Sequence, residues 1–183
     1  MEKDKIVISE KAIYKNKIDL KICKDPQNYI TNNRDKYTHN TWNCDVNTSF
    51  NLTDNILNIE ELRLLKLHIL FHIDRYMGQN KQFFDGYIYN SWINVYKKNF
   101  YQELHVHTDP IHNFLSGVVY LTKNNSEVEF NLQNRITVKP EFGQILIFED
   151  DIEHRVLPNK EDLRISLAFN FVKKSKWQLY NGN

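Results

Sequence analysis

The chain has 183 residues, and its 24 Lys and Arg nearly cancel its 23 Asp and Glu to leave a formal charge of +1. That length suits one domain with a substantial core, and the balance gives no electrostatic basis for binding nucleic acid or an anionic membrane. Two cysteines, Cys23 and Cys44, lie far apart with no Cys/His cluster beside either, which excludes a disulfide framework and leaves ordinary reduced thiols.

Taken in chain order, the opening MEKDKIVISEK is charged and lacks the apolar run of a signal peptide. The segment 54–77, DNILNIEELRLLKLHILFHIDRYM, carries Leu62, Leu65, Ile69, Ile73 and Tyr76 at helical spacing. Asp54 stands as its expected N-cap and Gly78 as its stop. Its most apolar stretch, 67–73, is interrupted by His68 and His72 and is too short to cross a bilayer. The chain therefore reads as cytoplasmic, and the Asn-x-Ser/Thr triplets at Asn47, Asn51 and Asn124 carry no expected glycan.

After Gly86 the period changes from helical to alternating. Strands are expected near 87–96, 100–107, 116–122, 127–132, 135–139, 144–149, 153–157 and 163–172, separated by turn residues such as Asn124-Asn125 and Pro158-Asn159. Eight short strands at this density suggest a jelly roll. The expected fold is mainly β with N-terminal helices, a single domain in which 1–85 is a helical or mixed support packed on one outer face and 86–175 is the roll.

QELHVHTD, residues 102–109, places His105, His107 and Asp109 one residue apart from each other, so that an extended strand would show all three on one face. His154 lies almost fifty residues on, but a jelly roll sets its second and seventh strands side by side. Two ligands spaced by one residue plus a distant histidine form the pattern of a facial metal site with open positions. Imidazole suits iron, zinc, copper or nickel, so the residue types do not choose the metal. Arg164 follows His154 by ten residues, with Ser166 two further along the same strand face. A guanidinium fork grips a carboxylate bidentately, and a buried arginine on an inner strand needs an anion. A small diacid chelating the metal at its other end would supply one, although Glu161 or Asp162 could instead form a structural ion pair.

The other histidines and aromatics read more plainly. His68 and His72, four apart on the expected helix, lack the glutamate of a zinc-hydrolase motif and read as packing residues. His112 stands in a loop near the expected site mouth. The aromatic run FFDGYIYNSWINVY looks like a base-stacking platform, yet its alternation and the near-zero charge favour a β core. The acidic Glu149-Asp150-Asp151 reads as a solvated turn, with a preference for basic substrates as the alternative.

Six blocks carry a family resemblance: SWIN at 91–94, QELHVH at 102–107, SGVVYL at 116–121, PEFGQILIF at 140–148, HRVLPN at 154–159 and RISLAFN at 164–170. In order and spacing they resemble the Fe(II)- and 2-oxoglutarate-dependent oxygenases, in particular a small branch with many phage and marine bacterial members. The resemblance implies a double-stranded β-helix, a cupin-like jelly roll, with Fe(II), 2-oxoglutarate and O2 as metal and cosubstrates. It assigns His105 and His154 to the metal, Arg164 to the far carboxylate of 2-oxoglutarate, and Ser166 to the hydroxyl beside it. Tyr120 aligns with a tyrosine that contacts the same cosubstrate end, and Tyr96 is placed in the same pocket. The superfamily usually has His-x-Asp or His-x-Glu, whereas this branch reads His-x-His. Both patterns occur here, as HVH and HTD, so His107 is the favoured middle ligand and Asp109 the alternative.

The implied reaction converts 2-oxoglutarate and dioxygen to succinate and carbon dioxide while hydroxylating a C–H bond. The primary substrate, whether a protein, a peptide or a small metabolite, is not written in the sequence, and neither nucleic acid nor membrane is expected as a partner. A cupin-like domain holding zinc or nickel and a carboxylate ligand without turnover is the competing reading.

Overall fold

The computed structural model describes residues 11–39, 44–80, 85–108 and 114–173. In chain order the elements are β1 (Tyr14–Lys17), α1 (Leu20–Asn33), β2 (Thr38–His39), β3 (Asn47–Thr48), α2 (Arg63–Gln79), β4 (Gly86–Lys97), β5 (Gln102–His105), β6 (Phe114–Tyr120), β7 (Val128–Asn131), β8 (Arg135–Val138), β9 (Gln144–Glu149), β10 (Glu153–Val156) and β11 (Leu163–Lys173). The eight strands expected after Gly86 are β4 to β11, with their ends shifted by a few residues.

The strands form two sheets, a larger one in the order β1-β9-β6-β11-β4-β3-β2 and a smaller one in the order β5-β10-β7-β8. They pack face to face as a double-stranded β-helix. One apolar cluster joins Tyr120, Leu146 and Phe148 of the larger sheet to Val128 and Phe130 of the smaller one. As expected, the second and seventh strands of the roll are neighbours: β5 pairs with β10, and His105 lies directly opposite His154.

The larger sheet is buried on both faces, and period-two alternation sorts its side chains. On β11, Ile165, Leu167, Phe169 and Phe171 join a second cluster with Ile69 and Ile73 of α2. The intervening Arg164, Ser166 and Ala168 face the interior of the roll and line its cavity. Trp92, Asn94 and Tyr96 of β4 do the same, while Ile93 and Val95 turn toward the helices. Gly117 on β6 lies opposite Phe169 of the neighbouring β11, and a Cβ there would stand 2.2 Å from the Phe169 ring.

The N-terminal half, expected as a helical or mixed support, contributes strands as well as helices. It adds β1 to one edge of the larger sheet and β2 and β3 to the other, so it widens the roll as well as covering it. α2 starts at Arg63 rather than Asp54. Residues 56–58 and 60–62 form two 3-10 turns interrupted by the extended backbone of Ile59. Asn55, not Asp54, caps the first turn, and its Oδ1 and the Ser91 hydroxyl both accept from Leu57 N–H, which fastens the segment to β4. The helix also runs through Gly78 to Gln79, because Asn80 closes it by donating its backbone N–H to Tyr76 and Met77 carbonyls. The apolar positions read as its inner face, Leu65, Ile69, Ile73 and Tyr76, are all buried. Within the described residues, no helix is long and apolar enough to cross a membrane.

Candidate active site

β5 and β10 bring three histidines together. One ring nitrogen from each of His105, His107 and His154 lies within 4.8 Å of the others, and the ring centroids are 4.3–5.2 Å apart. A register shift between β5 and β10 opposes Val156 to Gln102 while His154 opposes His105. This bulge turns both Gln102 and His105 inward.

Each imidazole is oriented through its Nδ1. His105 Nδ1 lies 2.8 Å from the Glu103 carbonyl, and His154 Nδ1 lies 2.9 Å from the Ile152 carbonyl. A carbonyl only accepts, so both rings carry the proton on Nδ1 and present the Nε2 lone pair. His107 Nδ1 sits 2.9 Å from both the Asn170 Oδ1 and the Ser116 hydroxyl, and Ser116 donates to the same Asn170 oxygen at 2.9 Å. The amide oxygen fixes the same tautomer for His107. Such partners fix the rings of metal-ligating histidines. The rings are also held neutral. Burial drives His107 from the usual 6.5 to about 4, aided by the nearby His105 and opposed by the bond to Asn170. Burial also lowers His105, against the Glu103 carbonyl and charge, and brings His154 well below the ordinary value, with His105 and His107 adding to it. Three neutral Nε2 lone pairs converging in one place suit a divalent transition metal.

Across the same cavity lies Arg164, 1% exposed. Its guanidinium is sandwiched between the rings of Tyr96 and Tyr120, at 5.3 and 5.4 Å from their centroids. Its hydrogen bond, from Nη1 to the Ser126 carbonyl, is long at 3.4 Å. Its Nε is buried without a partner, and the Tyr120 hydroxyl, beside the guanidinium, meets no other group. Among the described residues no carboxylate pairs with it. Glu161 and Asp162, the candidate structural partners, make no ion pair with it, and Glu161 instead accepts from Asn125. A buried cation left unpaired is costly, so an anionic group fits there, and Ser166 and Tyr120 line the same end. One cavity joins this end to the histidines.

Tyr96 contributes in a second way. Its hydroxyl, pushed up by burial, donates to Gln102 Oε1 at 2.8 Å. The Gln102 amide nitrogen lies 3.3 Å from His105 Nε2. A chain of contacts thus links the Arg164 end to the histidines. Asn159, at the end of the HRVLPN block, secures the start of β11 by donating to the Tyr96, Lys97 and Glu161 carbonyls. Asp109 and His112 lie outside the described residues. Sequence reasoning did not single out Ser116 and Asn170, although both fall inside the SGVVYL and RISLAFN blocks. His72 makes no metal cluster with His68; it is buried, and its Nδ1 lies 3.0 Å from the Tyr14 hydroxyl.

Residues 122–170 match a family model described as "Putative 2OG-Fe(II) oxygenase". That span holds His154, Arg164, Ser166 and Asn170 and stops short of His105 and His107. No curated protein matches the chain by sequence. Among solved structures, a Pseudomonas putida prolyl-4-hydroxylase is similar at a TM-score of 0.68 and 15% identity, over 90% of this chain and 94% of that one. The viral collagen prolyl hydroxylase of Paramecium Bursaria Chlorella virus-1, solved as its 2OG complex, gives 0.66 and 14%, over 89% and 96%. The epimerase SnoN, in complex with Fe3+, alpha ketoglutarate and nogalamycin RO, gives 0.68 and 12%, over 89% and 79%. At these identities the likeness establishes a shared double-stranded β-helix fold.

Proposed function

We propose that this chain is a 2OG-Fe(II) oxygenase that holds Fe(II) on His105, His107 and His154 and anchors 2-oxoglutarate at Arg164, a reading that the family match over 122–170 and the shared fold support. The observation that carries this reading is the pairing, in one cavity, of three oriented neutral imidazoles with a buried guanidinium that has no carboxylate partner among the described residues. A dicarboxylate with a keto group beside one end matches both. Its far carboxylate would take the free Nε of Arg164 and the Tyr120 hydroxyl, with Ser166 beside them, while its keto-acid end reaches the metal.

Bound iron and cosubstrate supply the oxidising chemistry, in which 2-oxoglutarate and dioxygen yield succinate and carbon dioxide and one oxygen atom enters a C–H bond of the primary substrate. The chain's own residues bind, orient and exclude water. Asn170, Ser116 and the Ile152 and Glu103 carbonyls hold the imidazoles; Tyr96 and Tyr120 cover the guanidinium; Phe130 and Phe148 close the cavity around His154. No side-chain acid, base or nucleophile is needed.

The primary substrate is a protein, a peptide or a small metabolite rather than a nucleic acid, and two buried free cysteines favour a reducing, cytoplasmic setting. A second reading is favoured by the donor set itself, because three neutral imidazoles with no carboxylate among the described residues also suit zinc or nickel. The two readings separate on turnover. With Fe(II) and 2-oxoglutarate in air the protein should form succinate even without a primary substrate, and Arg164→Ala should require about a hundredfold more 2-oxoglutarate for the same rate. Absence of iron-dependent succinate would favour the zinc or nickel domain.

A further inference from the structure

A second, more open cleft reaches the histidines from the side away from Arg164. His105 and His107 form its floor, and Phe50, Tyr89, Asn90, Trp92 and Glu103 stand on its walls. It shares none of the Arg164, Ser166 or Tyr120 end, and it is roomier than the inner cavity. On the oxygenase reading, on which this inference rests for its chemistry, the inner cavity takes the cosubstrate and the outer cleft is left for the primary substrate.

The walls have a definite polarity. Among the described residues that line the cleft, Glu103 is the one ionised side chain, and no lysine or arginine is present. Among the described residues the Glu103 carboxylate makes no ion pair, and its side-chain hydrogen-bond partner is the neutral Cys44 thiol. A carboxylate on the wall of a cleft with no counter-ion calls for one, and a cationic donor answers its charge. Aromatic rings surround the same space. Phe50 and Tyr89 are 39% and 44% exposed, and the Phe50 ring meets Trp92 edge-on at 5.2 Å. Ring faces favour cations and the alkyl stems that carry them.

We propose that the outer cleft receives the ammonium or guanidinium group of a basic side chain, with Glu103 as its counter-ion and Phe50, Tyr89 and Trp92 around its stem. The substrate class is then lysine or arginine, either as the free amino acid or within a peptide. The stem would lie beside the histidines, where its C–H bonds are the ones exposed to oxidation.

The test is an anaerobic calorimetric titration of the protein loaded with Fe(II) and 2-oxoglutarate. The probes are lysine, arginine, norleucine and glutamate, each as the free amino acid and at the centre of a short Gly-Ala peptide. In at least one format a basic probe should bind about tenfold or more tightly than norleucine, which keeps the stem and lacks the charge. Glutamate should bind worst. Glu103→Gln should erase the preference, and Glu103→Lys should turn it toward glutamate. The format that binds identifies the source. The proposal is overturned if neither basic probe is preferred over norleucine in either format, weak or absent binding included, or if the preference survives in Glu103→Gln. The visible absorption of the iron–cosubstrate chelate, read on the same samples, separates the two claims. A normal band without the preference sinks the cationic cleft alone. A missing band with a Glu103-dependent preference sinks the oxygenase reading and leaves the cleft standing.

Discussion

At the residue scale, the choice of middle ligand turns on what holds His107. Its Nδ1 is fixed by Asn170 Oδ1 and Ser116, which directs its Nε2 at the other two histidines. An aspartate at 109 is not needed to complete a three-nitrogen set. His107→Ala should therefore abolish tight Fe(II) or Co(II) binding, whereas Asp109→Ala should leave it within about threefold. Asn170→Leu, which removes the acceptor and keeps the volume, should weaken metal binding by about 10- to 100-fold. Equilibrium dialysis of the three variants checks the order. If Asp109→Ala costs more than His107→Ala, the ligand assignment made here is wrong. The individual site residues were legible because the chemistry of each is unusual at its position: histidines one residue apart, and an arginine within an apolar strand. Ser116 and Asn170 were not, since a serine or asparagine on a strand has many structural uses, and only the fold brings the two within hydrogen-bond reach of an imidazole.

At the element scale, β11 does two jobs with one alternation. Its odd-numbered residues 165, 167, 169 and 171 pack toward the helices, and Arg164, Ser166 and Asn170 reach the site. A one-residue slip would exchange core and site. The close approach of β6 to Phe169 helps to fix that register. Gly117→Ala places a methyl inside the Phe169 ring and near the Leu146 carbonyl, in a core with no spare room. It should cost about 1–3 kcal/mol, read as a fall in Tm of roughly 2–4 °C per kcal/mol for a chain of this size. An unchanged Tm would mean that the Phe169 ring packs against β6 more loosely than the geometry indicates. The long strands β4 and β11 were plain in the sequence because apolar and polar residues alternate over many positions. The edge strands were not: β1 reads YKNK and buries only Tyr14, and β2 and β3 are two residues each. The sequence pattern puts the start of α2 too early because the apolar spacing runs back through Ile56 and Leu62, and helical periodicity does not distinguish an α-helix from two 3-10 turns tied down by Asn55 and Ser91.

At the scale of the whole molecule, the roll places the pieces of the site on different strands and lets the sheets hold them. The histidines come from the smaller sheet and the segment after β5; Arg164 and its tyrosines come from the larger one. The cavity lies between them and the outer cleft opens beyond. The general architecture follows from strand count and the switch of period after Gly86. The contribution of the N-terminal half, which supplies Phe50 to the cleft as well as cover for the sheet, depends on tertiary contacts that local pattern does not contain. The most direct test of the central claim is an anaerobic titration of the Fe(II)-loaded protein with 2-oxoglutarate, followed by visible absorption. A weak charge-transfer band should saturate in the wild type, and Arg164→Ala should shift its midpoint to about hundredfold higher 2-oxoglutarate. A wild-type protein that binds iron yet develops no band, or an Arg164→Ala midpoint equal to the wild type, would contradict the account.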